Sequence, residues 1–357
     1  MTQLNNIFIG NKVVKQAFLN DALIYQSNGW QTTENALQTE WIRSDIAYSV
    51  EKISTDHDNN ILVIGAIAGN WYVIKLNSDG TMLWRAPTTA KATKLVVDKA
   101  NNIYVAIAEY IYVYDKNGTL KKTVNIATFS KTSSDIKIAD LAVDDTKVYI
   151  LGNGNSYVVT MDNNGNCLNC YDISTYSAQG KASSIAVDKV KYVYVGFDNA
   201  IIRFPKNNFG NYSVITCSSG GKILQVDSIN NLYVLLTYGA KIVKYKFEET
   251  NKPAWEKYAN LNPSGNDSGT DMILDAKDNV YVAWNNTYFV EEETVFNSDG
   301  TPKYGNLNTG GYVINGQRIA TDELGNIYLS GIKYFDTANN DKVRKWSITK
   351  LLQLVKK

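Results

Sequence analysis

Apolar and polar residues alternate in short runs along most of the chain, and the runs return in a fixed phrase. AVDDTKVYILG (142–152), AVDKVKYVYVG (186–196) and ATDELGNIYLSG (320–331) each contain an apolar pair, an Asp and a short polar turn. Alternating apolar residues around a Tyr follow. Aligned on the Asp, the phrase recurs at Asp56, Asp98, Asp144, Asp188, Asp227, Asp275 and Asp322, with spacings of 42, 46, 44, 39, 48 and 47 residues. A period of about 40–50 residues belongs to propeller blades or helical arrays. The period-2 alternation of NIYVA, KVYIL and NLYVLL is that of strands, which excludes the arrays.

Each unit parses into four strands. In the first, a is 52–56, b is 61–67, c is 71–77 and d is 82–87. The c–d connections carry Asp79-Gly80, Asn117-Gly118, Asn164-Gly165 and Asp299-Gly300, where glycine supplies the positive φ of a tight hairpin. The fifth unit has Asn251-Lys252-Pro253 there, so its hairpin should differ. The phrase Asp is expected to close the a–b turn by accepting backbone N–H groups. DHDNN (56–60) raises calcium as an alternative, but calcium requires six to eight convergent oxygens.

The seventh unit supplies 320–322, 326–331 and 345–352 and then lacks an outer strand. TEWIRSDI (39–46) matches MLWRAP (82–87), with Trp41 in the place of Trp84 and Trp255. The pattern therefore predicts an all-β fold, a seven-bladed β-propeller over 31–357 closed by an N-terminal strand. Closure removes an edge that would otherwise invite pairing with another chain. A small β module over 1–30 precedes it, with short strands in IFIG, VVKQAFL and ALIYQ, too small to bury a core alone.

Composition narrows the function classes. Lys+Arg 36 against Asp+Glu 35 gives a net charge of +1, so no basic field gathers nucleic acid or an anionic membrane. No run suits a membrane span or a secretory signal, and three cysteines make no disulfide framework. Cytoplasmic synthesis without a signal peptide is the resulting expectation.

Two resemblances add to this reading. The phrase apolar–Asp–x–x–Gly/Asn–Asn–Ile/Val–Tyr–Val, as in TDELGNIYLSG (321–331), resembles that of seven-bladed propellers built from NHL-like and related bacterial repeats, over roughly 39–352. It is specific for architecture and nearly silent on function. Residues Ile9, Gly10, Lys12, Val14, Lys15, Phe18, Leu19, Leu23, Ile24, Tyr25 and Gln26 resemble a short β module of tail and baseplate proteins from phages infecting Gram-positive bacteria. That resemblance implies a virion tail protein, held to other virion proteins through residues 1–27 and compatible with a homo-oligomer there.

Catalytic and metal chemistry find little footing. Cys167-Leu168-Asn169-Cys170 lacks a second pair for zinc and is read as part of a d strand, where residues three apart face opposite sides. The single His57 lies in an a–b turn, on the face away from the usual propeller site. Lyase propellers, the natural enzyme comparison, rely on a central histidine and a metal. Glu291-Glu292-Glu293 reads as a solvated strand edge or loop. No G-x-S-x-G, P-loop or dinucleotide fingerprint occurs. No catalytic residue, metal or cofactor is expected.

The b–c and d–a connections gather at one end of such a ring, and their variability sets function. They are short at 108–110 and long at 284–293, 331–345, 125–138, 174–183 and 260–271. Within them or at their ends, Tyr110, Tyr157, Tyr176, Tyr238, Trp284, Asn285, Asn286, Tyr288, Tyr334, Asn339 and Asn340 interleave rings and amides. Rings pack on sugar C–H faces and amides fork onto diols. Lys131, Lys181, Lys222 and Lys342 suit the phosphates of a teichoic-acid-like polymer. The expected ligand is a host cell-wall glycan or teichoic acid, bound by the connections rather than by the channel. A structural or protein-interaction propeller without a glycan ligand is the alternative.

Overall fold

A computed structural model describes residues 8–9, 12–13, 16–19, 22–26, 37–129, 136–153, 157–217, 221–236, 239–260, 267–285, 291–307, 318–336 and 342–353. Seven four-stranded antiparallel sheets form seven blades. Blade 1 comprises strands a (Ser49–Thr55), b (Ile61–Ile67), c (Asn70–Leu76) and d (Met82–Pro87). Blades 2 to 6 begin with strands a at Lys94–Val97, Lys137–Val143, Ala182–Val187, Gly221–Val226 and Ser268–Leu274. The a strands of neighbouring blades touch all the way round, so the ring is closed about a central channel.

Blade 7 is built of Arg318–Thr321, Ile327–Asp336, Lys342–Gln353 and, as its outer strand, Leu37–Arg43. Ile348 pairs with Arg43 and Lys350 with Trp41. The closing strand predicted from Trp41 is thus in place. The long b–c loop expected at 331–345 is instead largely hairpin, since Asp336 still pairs with Lys342.

Burial peaks in the middle of each blade and falls toward the channel and the rim. Strand b is fully buried in blade 2 (Ile103–Ile107), blade 4 (Tyr192–Phe197) and blade 5 (Leu232–Leu236), because the sheets of both neighbours cover it. Strands d keep exposed positions, as in Leu120–Asn125.

The d strands also fasten one blade to the next. Trp84 Nε1 donates to the Lys116 carbonyl at 3.1 Å, and its ring covers Gly118 in the c–d turn of blade 2. Trp41 does the same over Gly80, through Ser78 O at 3.1 Å, and Trp255 over Gly300, through Ser298 O at 3.2 Å. Blade 2 substitutes Lys122, whose ammonium reaches Asn164 O at 3.2 Å beside Gly165. Blade 5, lacking the glycine turn, has the different hairpin expected, with an isolated bridge between Lys246 and Glu249.

A bulge in strand d overturns the expectation for the CxxC. Asn169 pairs with Thr160 and Cys167 with Met161, which leaves Leu168 unpaired. Cys167 and Cys170 consequently pack against the same core cluster rather than facing opposite sides. Glu291–Glu293 also departs from the expected edge or loop: these residues open strand c of blade 6, with Glu293 paired to Ala283 on one side and Leu307 on the other. Near the N-terminus the expected middle strand VVKQAFL is two elements. Phe8–Ile9 pairs with Lys12–Val13, and Gln16–Leu19 with Ala22–Gln26.

Candidate functional site

One end of the ring carries the a–b turns, and there the recurring phrase is explained. Asp98 Oδ1 accepts the N–H groups of Ala100 and Asn102 at 2.9 Å, while Oδ2 accepts the Asn102 amide at 2.8 Å and the Tyr104 hydroxyl at 3.0 Å. The Tyr of the phrase therefore reaches back to its own Asp. The pair repeats as Tyr149–Asp144 (2.9 Å), Tyr194–Asp188 (3.3 Å), Tyr281–Asp275 (3.0 Å) and Tyr328–Asp322 (2.9 Å). Blade 1 has Leu62 at that position, and the buried Lys75 ammonium meets Asp56 instead at 2.7 Å. Burial, with the carboxylate alongside, pushes the hydroxyls of Tyr104, Tyr149 and Tyr194 well above their ordinary range.

The turns also link to one another. The His57 N–H donates to Asn101 Oδ1 (2.9 Å), Lys189 to Asn230 (3.0 Å), Ser228 to Asp278 (2.9 Å) and Glu323 to Asn59 (3.1 Å). The four acceptor residues hold φ between 60° and 71°, a left-handed conformation that Asn and Asp tolerate. The acidic and amide groups of this face are thus engaged in holding it together. Among the described residues, no group of three His, Cys, Asp or Glu side chains is placed to hold a metal.

The channel opens on this face through a cavity of about 720 Å3, adjoined by one of about 570 Å3. Val97, Val143, Val187 and Val226, each directly before a phrase Asp, form an apolar collar. His57 Nδ1 lies 2.7 Å from Glu323 Oε1 at its rim.

Deeper in, the collar gives way to charge. The residues four before each phrase Asp are Lys52, Lys94, Asp140, Ser184, Ile223, Asp271 and Arg318. A bulge precedes this position in blades 1, 3, 4, 5 and 6. Lys94 Nζ is 3.0 Å from Asp140. Lys52 Nζ lies 3.3 Å from Asp271, an ion pair between blades 1 and 6 that must reach past the inner edge of blade 7. Asp140 accepts the Ile185 N–H at 3.0 Å, and Asp271 those of Ile319 (3.2 Å) and Met272 (3.1 Å). Arg318 Nε donates to the Glu51 carbonyl at 3.1 Å. This throat was missed in the sequence reading; its signal is a charged residue at one fixed position of otherwise apolar strands.

At the other end lie the b–c and d–a connections. The b–c turns of blades 1, 2 and 4 are two residues long: Ala68-Gly69, Ala108-Glu109 and Asp198-Asn199. Tyr110, half-buried, starts strand c of blade 2 with its ring 6.5 Å from that of Tyr112. Tyr176, on a 3-10 turn (Ser174–Gln179), packs edge-on to Phe204 at 5.4 Å and Tyr212 at 4.7 Å.

Tyr157 and Trp284 are core side chains, 5 % and 1 % exposed. Tyr157, paired with Gly152 at the start of strand c of blade 3, packs into the cluster between blades 2 and 3 with Ile111 and Ile136. The indole of Trp284 donates to Thr294 Oγ1 at 3.2 Å. Tyr334 sits in a strand opposite Arg344. Tyr238, Asn286, Tyr288 and Asn340 lie outside the described residues, as does Lys131. Asn339 lies outside them too, so the expected residues do not form one described cluster. The face does display rings not singled out in the sequence, including Tyr48, 75 % exposed, and Trp71 with Lys91 Nζ 5.7 Å over its ring.

Fold and channel together define the molecule as a seven-bladed β-propeller with structurally occupied turns at one end and irregular connections at the other. Solved propellers share that architecture. A streptogramin B lyase structure superposes with a TM-score of 0.66 at 13 % identity, covering 89 % of this chain and 98 % of that one. Virginiamycin B lyase from Staphylococcus aureus gives 0.63 at 14 % identity, covering 89 % and 99 %. A protein of unknown function from Bacteroides caccae gives 0.51 at 11 %, covering 69 % and 92 %. Likeness at this identity is one of fold. No protein-family model and no curated protein matches the chain.

Proposed function

We propose that the protein is a recognition propeller of a phage or prophage tail, whose b–c and d–a connections bind a carbohydrate of the bacterial cell surface. The observation that carries this reading is the asymmetry of the two faces. The a–b turns use their Asp and Asn groups on one another, whereas the opposite face offers rings and lysines such as Tyr48, Trp71, Lys91 and Tyr110. Rigid rings beside polar groups give contact area at low entropic cost, which suits sugar faces. The resemblance of residues 9–26 to a tail module supplies the virion setting, with residues 1–27 docking to another virion protein.

Sedimentation with purified Gram-positive cell walls, with and without teichoic acid and polysaccharide, tests the proposal. Binding that weakens in Tyr48→Ala and Tyr110→Ala supports it. Indifference of the intact protein to walls of either kind contradicts it, and capture of a protein partner in its place favours a protein-interaction propeller.

A further inference from the structure

We propose that the channel throat is an anion site, taking a compact oxyanion (a phosphate ester or a carboxylate) between Lys52, Lys94 and Arg318. These cations stand at one level on three consecutive blades, 1, 2 and 7, while the same level in blades 4 and 5 holds the neutral Ser184 and Ile223. Positive charge is therefore gathered on one side of the lumen. The two carboxylates of the ring, Asp140 and Asp271, are fixed: each accepts backbone N–H groups, from Ile185 and from Ile319 and Met272. The lysines are not fixed in the same way. Their side chains are 28 % and 35 % exposed, and Lys52 keeps 3.3 and 3.4 Å from the two oxygens of Asp271. Charge-assisted hydrogen bonds normally close to about 2.7–2.9 Å. An ammonium with three donors on a long stem can keep its carboxylate as a neighbour and turn remaining donors to a ligand.

Three cations stand against two carboxylates at this level of the ring, and a narrow lumen concentrates their field. Glu51 and Lys91, paired at 2.7 Å, add no net charge to the adjoining seam. The site sits toward the start of the a strands, on the side of the d–a connections, so an anion reaches it from the proposed recognition face. The inference does not require the ligand to be a wall glycan, since small probes test it directly.

The experiment is calorimetric titration of the full chain with glycerol 3-phosphate and with glucuronate, against glycerol and glucose as neutral counterparts. The expected result is that at least one charged probe binds, neither neutral one does, and the affinity falls as sodium chloride is raised. Lys52→Gln and Lys94→Gln should each weaken binding about tenfold, the size of one charge-assisted hydrogen bond. Lys189→Gln, at the turn-side mouth, should leave it unchanged. Thermal unfolding confirms that each variant is folded, and Lys94→Gln serves alone if Lys52→Gln is not. Absence of binding by both charged probes, or binding unaltered in a folded Lys94→Gln protein, overturns the proposal. The two charged arms distinguish a phosphate source from a carboxylate one.

Discussion

Tyr104 shows how a single side chain ties sequence phrase to fold. Its ring fills the space between blades 2 and 3, and its hydroxyl closes the hydrogen-bond set of Asp98. Removing that hydroxyl in Tyr104→Phe is expected to cost about 1–2 kcal/mol in chemical denaturation. The buried hydroxyls also set an alkaline limit. Burial and neighbouring carboxylates raise Tyr104, Tyr149, Tyr194 and Tyr328 far above their usual value, and burial pushes Tyr114 and Tyr245 up to about 12. In the unfolded chain these groups ionise near pH 10. The unfolded state thus loses protons first, and the stabilisation, complete below about pH 10, declines as pH rises beyond it. Absorbance of tyrosinate during an alkaline titration should show a group of tyrosines ionising only with unfolding. Titration of all 24 near pH 10 in the folded protein would contradict this.

The acid side runs the other way. Burial works to raise Asp144, but Lys206 at 2.7 Å and the N–H of Thr146 outweigh it and hold the carboxyl below its usual range. Its contribution is present above about pH 4 and fades as pH falls through the folded value. Lys206→Met should move the acid unfolding midpoint to higher pH.

At the scale of the element, the indole-over-glycine contact joins blade to blade. Gly118 has φ 85°, and a Cβ there would stand 2.6 Å from Trp84, whereas Gly69, at φ 82°, has open space around it. Gly69→Ala should cost about 1 kcal/mol for backbone strain alone. Gly118→Ala should cost about 2–4 kcal/mol, because the indole must also give way. Equal losses in the two variants would mean that the indole contributes nothing to the seam.

The turn glycines, the phrase Asp and the equivalence of Trp41, Trp84 and Trp255 were legible in the sequence because each is a local requirement repeated with the blade. Bulges were not. One extra residue at Leu168 reverses the facing of Cys170, and alternation counted along the chain cannot register it. Tyr157 and Trp284 misled for a related reason: they stand at strand ends next to connections, yet register with the neighbouring strand turns them into the core. The charged throat was present in the aligned repeats at Lys52, Lys94, Asp140, Asp271 and Arg318, but only the closed ring brings blades 1 and 6 within reach of one ion pair.

Over the whole molecule, closure and facing decide what the chain can do. Leu37–Arg43 completes blade 7 and at the same time lays Trp41 over Gly80 of blade 1, so it holds both sides of the final seam. A chain beginning at residue 45 should unfold at lower temperature and self-associate through the bared strand Lys342–Gln353, measured by light scattering beside thermal unfolding. Two ends of unlike character follow from the same closed ring. Short turns that satisfy one another occupy the first, and connections free of the repeat occupy the second. Amide hydrogen exchange of the full chain with and without bound wall polymer compares the two ends in one measurement. Protection is predicted at 45–49, 68–72, 108–112 and 173–181, with the turns at 56–60, 98–102, 188–191 and 322–326 unchanged. Protection confined to the turns would contradict the account.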